Sequence, residues 1–185
     1  MPLFTPDGRY LVVRERLWRA SNHALTDADR EQLARTLMSA RRAIRDALKS
    51  GDKTSETRAR RDVHRAKVAL GERGPVWWTD GSPDLNRRKI ENTDYATWWQ
   101  SVTAIRLTVF DLLRQRATGA SICPSEVARA VTTVGWRTLM PLVRAVAREI
   151  ANEGLVEIRQ KGKRVSTAAV WRGPIRILLV MDGAE

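Results

Sequence analysis

The sequence predicts a mainly α fold with a minor β component, and three observations carry that reading. Leu33, Leu37, Ala40, Ile44 and Leu48 recur at spacings of 4, 3, 4 and 4, which is one face of a helix. Trp136, Met140, Val143, Ala147 and Ile150 mark a second such face late in the chain. The strand-like runs, Tyr10-Leu11-Val12-Val13 and Leu155-Val156-Glu157-Ile158-Arg159, are short and few. The expected architecture is a β-hairpin or strand with an αα-hairpin over residues 1–100. A winged helix-turn-helix follows over residues 101–185.

The elements follow in chain order. Thr5-Pro6-Asp7-Gly8 has turn chemistry, and the strand after it at Tyr10–Val13 either continues through Arg14 to Trp18 or belongs to a hairpin. Thr26 caps a helix whose first turn carries Asp27 and Asp29, suited to the positive helix N-terminus. Ser50-Gly51-Asp52 stops it. A second helix from about Thr54 to Leu70 places Ala59, Val63, Ala66 and Leu70 on one stripe. From Gly71 to Asp84 the chain is dense in Gly, Pro and Asp, so an ordered loop is expected to fold Trp77 and Trp78 over the helical hairpin. Thr93-Asp94-Tyr95 resembles a helix start and Trp98-Trp99 closes the module. The boundary is placed between Gln100 and Thr103, inside a helix running through Arg116.

Ile105, Val109, Leu112 and Leu113 form the apolar face of that helix, which ends at Thr118-Gly119. A short helix, Glu126 to Val131, follows with Ser125 as its cap. Thr132-Thr133-Val134-Gly135 is a turn. A longer helix runs from Trp136 or Thr138 to Asn152, with its start left open by Pro141. Leu155–Arg159 is a strand, Gln160-Lys161-Gly162-Lys163 a turn, and the chain returns from Arg164. Helix, helix, turn, helix and β-hairpin is the plan of a winged helix-turn-helix.

Composition narrows the function. The 185 residues carry 33 Lys+Arg against 21 Asp+Glu, a formal charge of +12. Of the cations 27 are Arg, which a GC-rich genome explains, but such bias does not explain the surplus over acids. Splitting at residue 100 leaves +6 on each side, so no basic tail holds the excess. The surplus points to a polyanionic partner. The single Cys123 excludes an internal disulfide, and two histidines, His23 and His64, give no zinc-ligand spacing. The start lacks the apolar stretch of a signal peptide. The run from Ile177 to Met181 is too short to span a bilayer. The expectation is a soluble cytoplasmic protein, with no cofactor, metal or membrane partner, and a homodimer left open.

Candidate contact residues follow from arrangement. On the third helix of the C-terminal half, Arg137, Arg144 and Arg148 fall within about 40° of one another at about 100° per residue. A major-groove helix uses such a stripe on phosphates or guanine edges; the other reading is an ordinary solvated face. Lys161, Lys163 and Arg164 surround Gly162 on a tight turn. Like charges there repel, so they suit a wing laid on the duplex backbone, or a solubilising, edge-protecting cluster. Arg129, on the short helix, joins the candidate set. The N-terminus of that helix offers a phosphate seat or simply a capped end.

Other constellations have rival readings. Glu72, Arg73, Asp80, Asp84, Asn86 and Arg87 crowd one loop. Asp80 and Asp84 either act as general-base or magnesium-holding carboxylates or make turns. With no phosphate-cradling glycine motif and no GxSxG, a non-enzymatic role is expected. Trp77-Trp78 and Trp98-Trp99 either stack bases or build core. Cys123 reads as a small buried residue and His64 as solvent-facing.

Pro124-Ser125-Glu126-Val127-Ala128-Arg129, then Trp136-Arg137, Leu139-Met140-Pro141, Val143-Arg144, Gln160-Lys161-Gly162 and Gly173-Pro174-Ile175-Arg176, resemble a bacterial family of short domains of unknown function. The likeness covers about residues 102–180 and implies a winged-helix-like fold with no established activity. The preceding GERGPVWW-DG-PD-NR run resembles an uncharacterised bacterial module. The function expected is duplex DNA binding by a regulator or nucleoid-type protein. Alternatives are a structured-RNA or ribosome-associated factor, a protein-interaction scaffold, and an enzyme built on the Asp80/Asp84 loop.

Overall fold

The computed structural model describes residues 3–180, so Met181 of the apolar run lies outside it. Its contacts divide the chain into two compact units. One spans Phe4–Lys89, and the other starts at Ile90 and also takes in Leu3. The division thus precedes the boundary read at residue 100. The reason is α3, an unbroken helix over Ala96–Arg114. It carries Trp98 and Trp99 onto the core of the second unit instead of closing the first.

The first unit opens with the expected turn. The Thr5 hydroxyl donates to Asp7 Oδ1 at 2.6 Å, and Gly8 takes φ +73. Of the two expectations for this segment, a hairpin or a strand running on to Trp18, the structure has the hairpin. β1 (Tyr10–Val13) pairs antiparallel with β2 (Arg16–Arg19), with Tyr10 opposite Arg19 and Val13 opposite Arg16. Arg14 and Glu15 both take positive φ, 50 and 59. A two-residue hairpin turn requires that geometry, and neither residue is the Asn or Gly that usually announces it. Tyr10, Val12, Leu17 and Arg19 face inward and are buried.

α1 (Asp27–Ser50) is capped by Thr26, whose hydroxyl accepts the Asp29 amide at 3.1 Å. It ends on Gly51 at φ 72. Asp52 then caps α2 (Lys53–Ala69), accepting the Thr54 and Ser55 amides at 2.9 and 3.0 Å. The two helices meet through Leu37, Ala66 and Leu70, with Leu25, Leu33 and Val63 alongside. Leu48, expected on this face, is 54% exposed, and the smaller Ala47 is buried instead.

The Gly71–Asp84 loop is ordered, and its tryptophans meet the hairpin and the residue that follows it. Trp77 Nε1 donates to the Ala20 carbonyl at 3.1 Å, and the Trp78 ring meets Tyr10 edge-on at 5.6 Å. Gly71, at φ +83, leaves the space that Trp77 fills; a Cβ there would stand 2.7 Å from its ring. In place of regular backbone pairing, the loop is tied to a buried guanidinium. Arg19 donates to the carbonyls of Gly71, Gly74 and Pro75 at 3.3, 2.9 and 3.1 Å and pairs with Asp84.

In the second unit α3, α4 (Pro124–Val131) and α5 (Trp136–Asn152) enclose a core with a three-stranded sheet. Ile105, Val109, Ile122, Val143, Ile150 and Ile177 are fully buried there. Each such side chain contributes about 1.5–3 kcal/mol. Cys123, not Ser125, occupies the cap position of α4. Its amide donates to Glu126 Oε1 at 2.9 Å, and Pro124 starts the helix. Cys123 itself is half-buried rather than buried. α5 begins at Trp136 after Gly135 at φ 69, with Pro141 inside it.

β3 (Val156–Gln160) is the central strand, in the order β4-β3-β5. The expected return strand is only the two-residue β4 (Lys163–Arg164). The main partner of β3 is β5 (Arg176–Leu179), which sets Val156 opposite Leu179 and Arg159 opposite Arg176. Ile122 adds a bridge to Ile177. Among the described residues, no helix is long and apolar enough to cross a membrane.

Candidate nucleic-acid interface

The cations read from the sequence separate into three groups. Arg129 near the end of α4 and Arg137 in the first turn of α5 both lie against one indole. Their guanidinium carbons stand 4.5 and 4.6 Å from the Trp136 ring centroid. Both are exposed, and among the described residues neither has a carboxylate partner. A cation held on an indole face keeps its charge while losing rotamer freedom. Trp136 therefore fixes two guanidiniums beside the turn between α4 and α5. Sequence reasoning placed Trp136 in the core stripe and missed this second role; the signal was its adjacency to Arg137.

Arg144 and Arg148 form the second group and are not free on a solvent face. Arg144 donates to the carbonyls of Gly173 at 3.1 Å and Trp171 at 2.6 Å. Arg148 donates to the Ala169 carbonyl at 3.1 Å and lies 4.3 Å from the Trp171 ring centroid. Trp171 is itself buried, its Nε1 donating to the Ser166 carbonyl at 2.9 Å. The α5 stripe thus clamps the segment linking β4 to β5. Burial, with the neighbouring Arg148 charge, lowers the Arg144 pKa. These bonds commit two of the five Arg144 donors and one of the Arg148 donors to the chain itself.

The third group is the turn beyond β3. Lys161 and Gly162 take φ 51 and 78, a tight turn that exposes Lys161, Lys163 and Arg164 together. Glu157 on β3 is their local counter-charge. It pairs with Arg159 and lies 3.7 Å from Arg164. Among the described residues no ion pair involves Lys161 or Lys163. At the base of the unit Glu126 pairs with both Arg116 and Arg176, so those two cations are compensated.

The carboxylates of the first unit resolve differently. Asp80 pairs with Arg9, whose hydrogen bond is the main cause that lowers its pKa to about 2. Asp84 pairs with Arg19. Asp80, so acidic and so held, is a poor general base at neutral pH.

Residues 102–180 match a family described as "Protein of unknown function (DUF3253)". The matched segment runs from within α3 through β5 and contains every cation of the three groups. No curated protein matches the chain.

Proposed function

We propose that the DUF3253 segment is a winged helix-turn-helix that binds duplex DNA without catalysing a reaction on it. The observation that carries the reading is the turn at Lys161-Gly162, which presents three cations at the end of a sheet. Two of them have no carboxylate partner among the described residues. Such a turn has the charge and reach of a wing on a phosphate backbone. The element order of α3, α4, a turn, α5 and an antiparallel sheet supports it. Arg129 and Arg137 supply a second backbone or base contact at the start of α5. Arg144 and Arg148 act as positioning residues for the segment behind the wing.

The test is the salt dependence of binding to random-sequence duplex DNA, followed by fluorescence anisotropy. Each phosphate neutralised adds about 0.9 to the slope of log K against log salt. Substituting Lys161, Lys163 and Arg164 by Ala removes up to about three such units. Substituting Arg129 and Arg137 removes up to about two. Unchanged slope and affinity in both variants overturn the assignment. A preference for folded RNA at equal salt selects the RNA-binding reading, and no salt-dependent binding to either selects the scaffold.

A further inference from the structure

One face of the β1–β2 hairpin stays open. Leu11 and Trp18 form a cross-strand pair that, with Val13, points away from the buried Tyr10, Val12 and Leu17. Trp18 is 40% and Val13 43% exposed. These three side chains floor a cavity of about 260 Å3. Its walls come from the two ends of the GERGPVWW-DG-PD-NR run. The carboxylates in the middle of that run, Asp80 and Asp84, are consumed by Arg9 and Arg19. Its ends, Glu72-Arg73 and Asn86-Arg87, converge on the cavity.

The polar groups on those walls have defined remaining capacity. Glu72 is neutralised by Lys67 at 3.0 Å and accepts the Ser21 hydroxyl at 3.3 Å. Asn86 Oδ1 accepts the Arg19 amide at 3.1 Å, which fixes the side-chain amide. Its Nδ2 hydrogens have no partner among the described residues. Arg73 and Arg87 have no carboxylate partner among the described residues. Arg87 lies 6.0 Å from the Trp18 ring centroid, on a backbone at φ 70 that a side-chain-bearing residue adopts only at a cost.

We propose that this cavity binds a single nucleotide. Trp18, Leu11 and Val13 give a flat apolar floor for the base. Asn86 Nδ2 donates to an acceptor on the base edge. Arg73 and Arg87 take the phosphate, whose two negative charges match two uncompensated guanidiniums. A neutral aromatic ligand leaves both cations unused, and a monocarboxylate uses one. The volume falls just below the range of about 300–1,000 Å3 for drug-sized sites, which limits the occupant to one unit. A free nucleotide presents both charges on one phosphate; an unstacked nucleotide of a single strand presents the same base between two singly charged phosphodiesters, one for each guanidinium. Every residue of the site lies within Phe4–Lys89, so the proposal does not rest on duplex binding by the other unit.

Isothermal titration of the full chain tests it, with AMP and UMP, their nucleosides, and a short single-stranded oligonucleotide as probes. The expected result is mononucleotide binding that weakens at least about tenfold for the nucleosides and for Arg73→Gln or Arg87→Asn. Asn tolerates the positive φ at position 87, so this variant removes charge without adding strain. Trp18→Leu weakens all probes, while K161A/K163A/R164A leaves AMP and UMP binding unchanged. Binding of the oligonucleotide alone, lost in the same variants, assigns the site to a strand. No binding of any probe, or binding indifferent to Arg73→Gln and Arg87→Asn, overturns the proposal. Should those variants fail to fold, photo-cross-linking of azido-labelled nucleotide or oligonucleotide to the wild-type chain replaces them. Label on peptides holding Trp18, Arg73 or Arg87 sustains the site, and label elsewhere overturns it.

Discussion

Two carboxylates show how neighbours decide opposite behaviour for the same chemical group. Asp80 accepts a hydrogen bond from Arg9 and from the Ser82 amide, and its pKa falls to about 2. A depressed acid stabilises the fold at every pH above its unfolded value near 4, and that contribution is lost as pH falls toward 2. Replacing Arg9 by Ala should return the Asp80 carboxyl titration, followed by NMR, toward the ordinary range; a midpoint still near 2 would refute the cause. Glu149 on α5 goes the other way, since burial and then the like charge of Glu153 raise its pKa. A raised acid is best tolerated protonated, so its penalty grows as pH climbs from about 4 through the raised value. Glu149→Gln should therefore be more stable than wild type in urea at pH 7, with the gap closing near pH 4. A gap that persists at pH 4 would mean that packing, not charge, sets the difference. Neither assignment was visible in the sequence, because Asp80 and Arg9 are distant along the chain and burial of Glu149 depends on how α5 packs.

Among the elements, legibility followed the range of the interactions that define them. The buried faces of α3 and α5 were readable because a helix repeats its environment every three or four residues, and Val143, Ala147 and Ile150 are buried as that period requires. The Arg14-Glu15 turn was not, because its residues do not favour the conformation that closing the hairpin imposes. The destination of Arg144 and Arg148 on α5 was hidden: the 165–175 segment has no periodicity, and only folding brings Trp171, Ala169 and Gly173 beneath them. That clamp predicts its own removal. Each charge-assisted hydrogen bond lost costs on the order of 1.5 kcal/mol, less at this partial exposure. Replacing Arg144 and Arg148 together by Ala should raise local opening of the segment about tenfold. The readout is the rate of tryptic cleavage after the exposed Arg172. An unchanged rate would show that Trp171 alone anchors the segment.

At the scale of the whole molecule, the partition of contacts changes what the charge implies. With the division at Lys89, the span Phe4–Lys89 holds 20 basic and 12 acidic residues, a net +8, and Ile90–Glu185 holds 13 and 9, a net +4. The even split read at residue 100 came from a boundary placed inside α3, which assigned Glu91 and Asp94 to the wrong unit. Most of the cationic surplus therefore resides outside the segment with the wing. Part of it is compensated in place: Glu56 serves Lys53 and Arg60, and Asp62 serves Arg65 at 2.6 Å. Arg58 and Arg61, which line one groove of α2 with Arg65, make no ion pair among the described residues, and Arg58 has only the longer-range attraction of Asp52. Counterion release counts only uncompensated cations brought to phosphate. If the first unit adds to duplex binding, replacing Arg58, Arg61 and Arg65 by Ala should lower the salt slope by about two rather than three, because Arg65 is already neutralised. Combined with the wing variant, the two losses should add, since the substitutions share no partner. A slope unaffected by the α2 substitutions would confine the duplex contact to the second unit, whatever the first unit's larger charge.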